Sequence, residues 1–295
     1  MEFFLQLIVN GIGVGCIYGV IGLGFVIIYK SSDVLNFAQG EFVMIGAFTA
    51  LYLVKTLNIP FLLAILITLL ILALLGIIVQ ILFLRRMIGE SIFSVIMITI
   101  GLSEVLRNLI GLIFGSTNYI FPQVLSQEGI SIFKDVFMSP IQMWTIFVSL
   151  ILVIILLLLF NKTRIGLELR TVASDQDVAL LMGISVKRAL YLSWALSSAV
   201  GAIGGILLAN MIVVNIYMGY VGLLVFPAVV LGGLNSSKGA VLGGISIGII
   251  EAIAGGYLDT LMGGGVKEVT AFVILIGVLM IKPYGLFGKE EIERV

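Results

Sequence analysis

The chain has 295 residues, of which 61% are hydrophobic and 11% charged, against roughly 45–50% and 25% in ordinary soluble domains. An interior core cannot absorb that excess, so the composition predicts an integral membrane protein. The net charge is zero, which gives no support for a nucleic-acid partner, and the absence of histidine excludes His-ligated metal sites and His general bases.

Long runs rich in Leu, Ile and Val dominate the chain, without the alternation that barrel strands show. Because a helical span needs about 20 mostly apolar residues, we expect an all-α polytopic bundle of about eight or nine membrane segments, re-entrant pieces included. The whole chain, 1–295, is predicted to be a single transmembrane domain. The candidate segments are 7–29, 35–54, 61–84, 92–114, 141–160, 189–213, 220–236, 239–258 and 266–282.

Polar side chains stand together at the start of the second segment, in the stretch Leu-Asn-Phe-Ala-Gln-Gly-Glu-Phe that begins at residue 35. They are Asn36, Gln39 and Glu41, with Gly40 between the last two. Asn36 is predicted to be the helix N-cap. Glu41 then falls in the first turn or so, where the helix dipole favours negative charge. This local role explains part of the polarity without any bound molecule.

Charges inside predicted spans are functional hypotheses by default. Glu104 and Arg107 are spaced i,i+3 and share one helix face, which favours an intramembrane ion pair over a gating or substrate role. Glu251 lies inside segment 239–258. For this residue a helix-bridging hydrogen bond is favoured over a pathway role.

The largest loop, residues 161–188, carries a short amphipathic pattern. Ser174 and Asp177 have the Ser-x-x-Asp spacing of a capping box, and Gly183 is a suitable C-terminal stop. The apolar face consists of Val178, Leu181 and Met182. Two interpretations stay open on pattern alone: a helix resting on the membrane surface, or a docking element for a cytoplasmic partner.

Glycine patterns indicate close packing of helices. Small-xxx-small steps, which let helices approach closely, occur at Gly11-Gly15-Gly19, Gly201-Gly205 and Gly244-Gly248. The stretch 232–239 looks faintly like a phosphate loop, but Ser237 stands where a Walker A motif needs glycine before the lysine. A tight turn between helices is therefore predicted there.

Lysine and arginine set the predicted orientation. If every segment crosses and the N-terminus lies outside, twelve basic residues face the cytoplasm and three face outside, with Arg107 inside the membrane. The twelve are Lys30, Arg85, Arg86, Lys162, Arg164, Arg170, Lys187, Arg188, Lys238, Lys282, Lys289 and Arg294, and the three are Lys55, Lys134 and Lys267. The sequence thus predicts an external N-terminus and a cytoplasmic C-terminus.

Several of these stretches together resemble the permeases of branched-chain amino-acid ABC transporters. Residues 36–41 fit the early signature of that family, and Gly166-Leu-Glu-Leu-Arg170, Ala173, Asp175, Ala179 and Gly183-Ile184 resemble its cytoplasmic loop. Further matches are Val-Leu-Gly-Gly-Leu at 230–234, Gly-Ala-Val-Leu-Gly-Gly at 239–244, Gly-Ile-Ile-Glu at 248–251 and Lys-Pro-Tyr-Gly-Leu-Phe-Gly at 282–288. The ending Glu-Glu-Ile-Glu-Arg-Val, 290–295, is similar to the LivH-type subunit.

The resemblance implies a permease subunit of an ATP-driven importer in the prokaryotic cytoplasmic membrane. It implies as partners a second, LivM-like permease, two cytoplasmic ATPases and an extracytoplasmic binding protein. ATP and Mg²⁺ would bind the ATPases, with no cofactor on this chain. The loop 161–188 would hold the coupling helix, and alternating access would follow closure of the ATPases. The implied coupling residues are Arg170, Ala173, Asp175, Ala179 and Gly183, and the implied pathway or gate residues are Asn36, Gln39, Gly40, Glu41 and Glu251.

Four other functions remain as alternatives. Related permeases import urea or short-chain amides, and an uncharged polar pathway from Asn36 and Gln39 suits these as well as amino acids; sugar permeases are a less favoured third option. An intramembrane enzyme is disfavoured because Glu41, Glu104 and Glu251 lie on separate spans without a recognisable catalytic motif. An autonomous channel has no need of the loop helix.

Overall fold

The computed structural model describes residues 2–87, 90–122, 129–133 and 136–288, and this part of the chain is almost entirely helical. Its α-helices are α1 (Glu2–Ser32), α2 (Gln39–Lys55), α3 (Phe61–Leu82), α4 (Ile92–Phe114), α5 (Pro140–Lys162), α6 (Arg164–Ser174), α7 (Gln176–Leu181), α8 (Val186–Ala209), α9 (Val221–Gly232), α10 (Ser237–Met262) and α11 (Val266–Ile281). Short 3₁₀ segments cover Leu84–Met87 and Ile216–Tyr220, and β1 (Ile130–Phe133) pairs antiparallel with β2 (Val136–Met138).

Among the described residues, six helical stretches are long and apolar enough to cross a membrane. They are Glu2–Ser32, Phe61–Met87, Ile92–Phe114, Pro140–Lys162, Val186–Ala209 and Ser237–Met262. The helices α2 and α11, with 17 and 16 residues, are shorter. The prediction of an all-α polytopic membrane bundle is confirmed, and each predicted segment coincides with a helix; the small hairpin and α6 were not foreseen.

Contacts between Cα atoms divide the chain into two compact units. Unit 1 comprises Met1–Val26, Leu125–Ile151 and Leu224–Val295, and unit 2 comprises Ile27–Val124 and Leu152–Leu223. This division does not test the prediction of a single domain over 1–295, which stays a prediction.

Unit 1 is built on a glycine seam between α1 and α10. A Cβ atom on Gly15 would collide with the backbone of Ile245, and one on Gly248 would collide with the backbone of Gly15. Gly11 meets the backbone of Ile249 in the same way. The predicted small-residue steps therefore let two long helices pack backbone against backbone.

The turn between α9 and α10 also belongs to unit 1, and the chain end packs on it. Ser236 caps α10 by accepting a hydrogen bond from the Gly239 amide at 3.0 Å. The backbone N–H of Leu286 donates to the carbonyl of Leu231 at 2.8 Å. Gly233 adopts φ +98°, where glycine carries no steric penalty. The stretch 232–239 is thus a tight interhelical turn, as predicted.

Unit 2 is organised around α8, against which α2 and α3 pack. Gly205 of α8 lies against the carbonyl of Val43, and Gly76 of α3 lies against the carbonyl of Trp194. The Ser198 hydroxyl donates to the Leu72 carbonyl of α3 at 2.7 Å. Small residues on each helix therefore allow close approach along both seams.

Helix α2 begins at an unusual depth within unit 2. Its first residue, Gln39, is bonded to Ser197, the twelfth of the 24 residues of α8. The N-terminus of α2 therefore lies level with the middle of a membrane-spanning helix, and the non-helical residues 33–38 run up to it from the end of α1. Such broken helices are tolerated in a membrane only where protein or water covers the backbone, and α2 is buried along almost its entire length.

Candidate functional site

The polar stretch 36–41 is buried, and each of its side chains meets a neighbouring element. Gln39 exchanges two hydrogen bonds with α8: the Ser197 hydroxyl donates to its Oε1 at 2.8 Å, and its Nε2 donates to the Ser197 carbonyl at 3.2 Å. Both ends of the amide are thereby satisfied, as a fully buried amide requires. Gln39 joins α2 to the centre of α8.

The predicted helix cap at Asn36 is wrong. The N-cap of α2 is Ala38, which makes no side-chain capping bond, and the helix begins at Gln39. Asn36 Oδ1 instead accepts a hydrogen bond from the Ala38 amide at 3.1 Å, closing a local turn before the helix. An asparagine that bonds the backbone two residues ahead favours such a turn over a helix, so the start of α2 shifts to residue 39.

Gly40 is where the start of α2 meets the start of α9. A Cβ atom at residue 40 would collide with the Gly219 carbonyl and lie 2.9 Å from the Gly222 amide nitrogen. A Cβ atom at residue 222 would in turn lie 2.8 Å from the backbone of Gly40. Two helix starts approach this closely only because neither carries a side chain there.

An ion cluster lies one residue further along α2. The Arg107 guanidinium donates to Glu41 at 2.5 Å through Nη2 and to Glu104 at 3.0 Å through Nη1. Its carbon Cζ stands 4.2 Å from the ring centroid of Tyr220, within cation–π distance. Glu41 is only 1% exposed, and Arg107 is the cation that pairs with it inside the fold. We call Glu41, Glu104, Arg107 and Tyr220 the ion cluster.

The predicted ion pair of Glu104 and Arg107 is present, but Arg107 also binds Glu41. The bond between Arg107 and Glu41, 66 residues apart, was not foreseen. The sequence does hold a signal for this bond. A buried carboxylate at the start of α2 needs a cation, and Arg107 is the one basic residue predicted in the interior of a span.

The residues predicted to form a pathway or gate are buried, and that role stays a prediction. Asn36, Gln39 and Glu41 lie together in unit 2 and are each at most 1% exposed. Glu251 belongs to unit 1, where the Tyr18 hydroxyl of α1 donates to its Oε2 at 2.9 Å. This is the helix-bridging bond that the sequence favoured.

The loop 161–188 contains two helices, α6 and α7, instead of one. Thr163 caps α6 by accepting from the Gly166 amide at 3.2 Å. The predicted cap at Ser174 is wrong: Ser174 ends α6, and Asp175 caps α7 by accepting from the amides of Asp177 and Val178 at 2.8 and 3.0 Å. Aspartate is as good an N-cap as serine, and here it stands at the break between the helices.

The loop presents an apolar surface outward. Ala179 is fully buried, whereas Val178 and Leu180 are exposed and Leu181 is 87% exposed. The Arg170 guanidinium donates back to the Gly166 carbonyl at 3.2 Å, and Ala173 is half-buried. Gly183 ends α7 with φ +77° and has open space around it. We call Val178, Leu180, Leu181 and Met182 the loop patch.

Two remaining points concern metal sites and the C-terminal tail. Within the ranges that the structure describes, groups of three or more Cys, Asp or Glu residues suited to a metal ion are absent. Part of the family-like tail, residues 282–288, is described, whereas the ending 290–295 and the basic residues Lys134, Lys289 and Arg294 lie outside the described residues.

Comparison with known proteins identifies the family. A family profile described as branched-chain amino acid transport system / permease component matches residues 7–282. The high-affinity branched-chain amino acid transport system permease protein LivH of Escherichia coli K12 is 29% identical over 99% of this chain and 98% of its own length. A probable branched-chain amino acid transport permease protein LivH of Methanocaldococcus jannaschii is 31% identical over 92% and 88%.

A solved structure supports the fold. PsaBC from Streptococcus pneumoniae, in complex with Fab, aligns with a TM-score of 0.51 at 17% identity and covers 96% of this chain and 93% of the other. At that identity the likeness concerns the fold alone. The sequence profile extends over almost the whole chain, and the chain therefore belongs to the family of permease components of the branched-chain amino acid transport system.

Proposed function

We propose that this chain is the membrane permease through which an ATP-driven importer takes up leucine, isoleucine and valine. The observation that carries the proposal is similarity to LivH proteins along essentially the full length of both chains. Permeases of this family are transport components and not enzymes. ATP and Mg²⁺ accordingly belong on partner subunits.

The partners follow from the family and from the loop patch. Two cytoplasmic ATPases drive the cycle, an extracytoplasmic binding protein delivers the amino acid, and a related LivM-type permease completes the membrane part. The loop patch supports ATPase docking, because an amphipathic helix with an exposed apolar face fits a hydrophobic groove. Movement of α6 and α7 then switches the permease between inward and outward access.

The multi-pass chain lies in the prokaryotic cytoplasmic membrane. We infer that its N-terminus is external and its C-terminus cytoplasmic, since this orientation puts twelve basic residues inside and three outside. The loop 161–188 is then on the side where the ATPases are.

The test is uptake by the assembled importer in cells that lack their own leucine uptake. We expect radiolabelled leucine to accumulate only when this chain, its permease partner, the ATPases and the binding protein are all expressed. Leucine added with the binding protein is also expected to stimulate ATPase activity in proteoliposomes. Stimulation by urea and not by leucine would show that the importer carries urea or short-chain amides.

A further inference from the structure

One exposed strip of α4 is too polar for its depth in the membrane. Glu104 is the thirteenth of the 23 residues of α4, so it stands roughly 18 Å and 15 Å from the two ends at about 1.5 Å per residue. Its side chain is nevertheless 60% exposed. Asn108, one turn further on, is exposed as well, and so is Gly101, one turn before.

The strip continues onto the segment before α9. Tyr217 and Tyr220 stack with ring centroids 6.1 Å apart and nearly parallel planes, and both rings are exposed. Tyr220 lies beneath Arg107, which binds Glu104. We call Gly101, Glu104, Asn108, Tyr217 and Tyr220 the α4 strip.

The α4 strip is too polar to face lipid. A carboxylate and a primary amide near mid-membrane face a bundle interior or a water-filled cavity in known membrane proteins. The neighbouring positions of α4 show the contrast, because Val105, Leu109 and Leu112 are exposed and apolar. Val105 and Leu109 lie about 100° around the helix from Glu104 and Asn108, as a lipid-facing side would, whereas Leu112 continues the line of Asn108 one turn further on.

The charge of the ion cluster indicates which chemical group would bind at the α4 strip. Glu41 and Glu104 share one guanidinium, which leaves a formal charge of −1 when both carboxylates are ionised. Glu41 is buried, so the accessible part of that charge is on Glu104. An ammonium group beside Glu104 would neutralise the cluster, and the exposed tyrosine faces would stabilise it further.

We propose that the α4 strip lines the water-filled permeation path and that Glu104 takes the ammonium group of the passing amino acid, with Tyr217 and Tyr220 beside it. This inference rests on the proposed function and adds to it the substrate-contacting surface. It also moves the path away from the buried residues Asn36, Gln39 and Glu41, whose polar atoms serve mainly the packing of α2.

Water access tests the path without altering the ion cluster. Gly101→Cys in a Cys16→Ser background adds a thiol where no atom lies within 4 Å of the new Cβ. Leu109→Cys is the matched control, since it is 48% exposed and lies about 80° from Gly101 and 140° from Glu104 around the same helix. In the assembled importer we expect a charged, membrane-impermeant thiol reagent to modify residue 101 at least tenfold faster than residue 109. Equal rates, or an unreactive residue 101, would overturn the path.

Uptake tests the ammonium contact. Glu104→Gln keeps an acceptor for Arg107 but brings the cluster to zero charge, and we expect leucine uptake to fall at least tenfold, with partial recovery in Glu104→Asp. The amount in the membrane and the thermal midpoint should stay unchanged, which a merely structural role would not allow. If the wild-type importer carries leucine and Glu104→Gln carries it equally well, the proposed ammonium contact is wrong. The proposed function is then unaffected. A wild type that carries only urea overturns both.

Discussion

Arg107 connects α2, α4 and the segment before α9 through the ion cluster of unit 2. A guanidinium offers donors in a rigid fork and stacks on aromatic rings, which matches two carboxylates at 2.5 and 3.0 Å and a ring centroid at 4.2 Å. Lysine has neither the fork nor the flat face. Arginine at this position therefore has a structural reason, whatever its part in transport.

Arg107→Met should destabilise the fold severely. The change leaves Glu41, 1% exposed, without its cation, and breaking a buried pair in this way costs roughly 3–5 kcal/mol. We expect a large drop in the thermal midpoint of the purified chain in detergent.

The double variant Arg107→Met/Glu41→Gln is the control, because it removes both charges together. It should recover a substantial part of the lost stability. If single and double variants unfolded at the same temperature, an uncompensated charge on Glu41 would not be the cause.

Gly40 is predicted to tolerate no side chain. In Gly40→Ala the new methyl group would collide with the backbone of Gly219 and Gly222, and overpacking of this kind costs about 1–3 kcal/mol. The matched control is Gly101→Ala, where the Cβ meets nothing within 4 Å and helix propensity improves by up to about 1 kcal/mol. Thermal unfolding should therefore shift in opposite directions, and a neutral Gly40→Ala would contradict the close approach of α2 and α9.

At the scale of elements, local patterns located the helices, and contacts distant in sequence decided their details. Apolar length was enough to predict α3, α4 and α5 to within a few residues, because a span must cover the bilayer. The start of α2 was placed four residues early, since the turn made by Asn36 competes with the helix and is decided by side-chain geometry. The bond from Arg107 to Glu41 depends on how α4 meets α2, which no local pattern contains.

The loop 161–188 shows the same contrast between local patterns and contacts distant in sequence. The short amphipathic helix before Gly183 was recognisable from its periodicity, and α7 is there. The separate helix α6 was not predicted because its mixed charged sequence lacks a long apolar run. Its buried side, formed by Gly166, Leu169 and Val172, depends on packing against neighbouring helices, and Gly166 lies against the end of α5. The α4 strip was likewise beyond prediction, since exposure is a property of the folded chain.

Helix α7 should be required for coupling. Asp175→Arg removes the two capping hydrogen bonds at 2.8 and 3.0 Å and adds a positive charge at a helix N-terminus, where the dipole opposes it. We expect leucine uptake to be abolished while the protein remains in the membrane. Asp175→Asn is the control, because asparagine caps equally well and should retain uptake. Normal uptake by Asp175→Arg would exclude a coupling role for α7.

For the whole molecule, the two ends of unit 2 differ in what they present. One end carries the basic residues and the loop patch, and the other carries the short connection between α2 and α3 with Lys55. The ion cluster lies between them, level with the middle of α4 and α8. Because ATPases bind from the cytoplasm, the proposed coupling and the distribution of lysine and arginine require the same orientation.

That orientation can be measured with two single cysteines in the Cys16→Ser background. Leu57→Cys lies in the exposed connection after α2, and Asp177→Cys lies on the exposed surface of α7. With twelve basic residues retained inside, we expect an impermeant maleimide to label residue 57 in intact cells and residue 177 only after permeabilisation. Labelling of residue 177 in intact cells would place the loop patch outside, where no ATPase reaches it, and would remove the coupling proposal together with the topology.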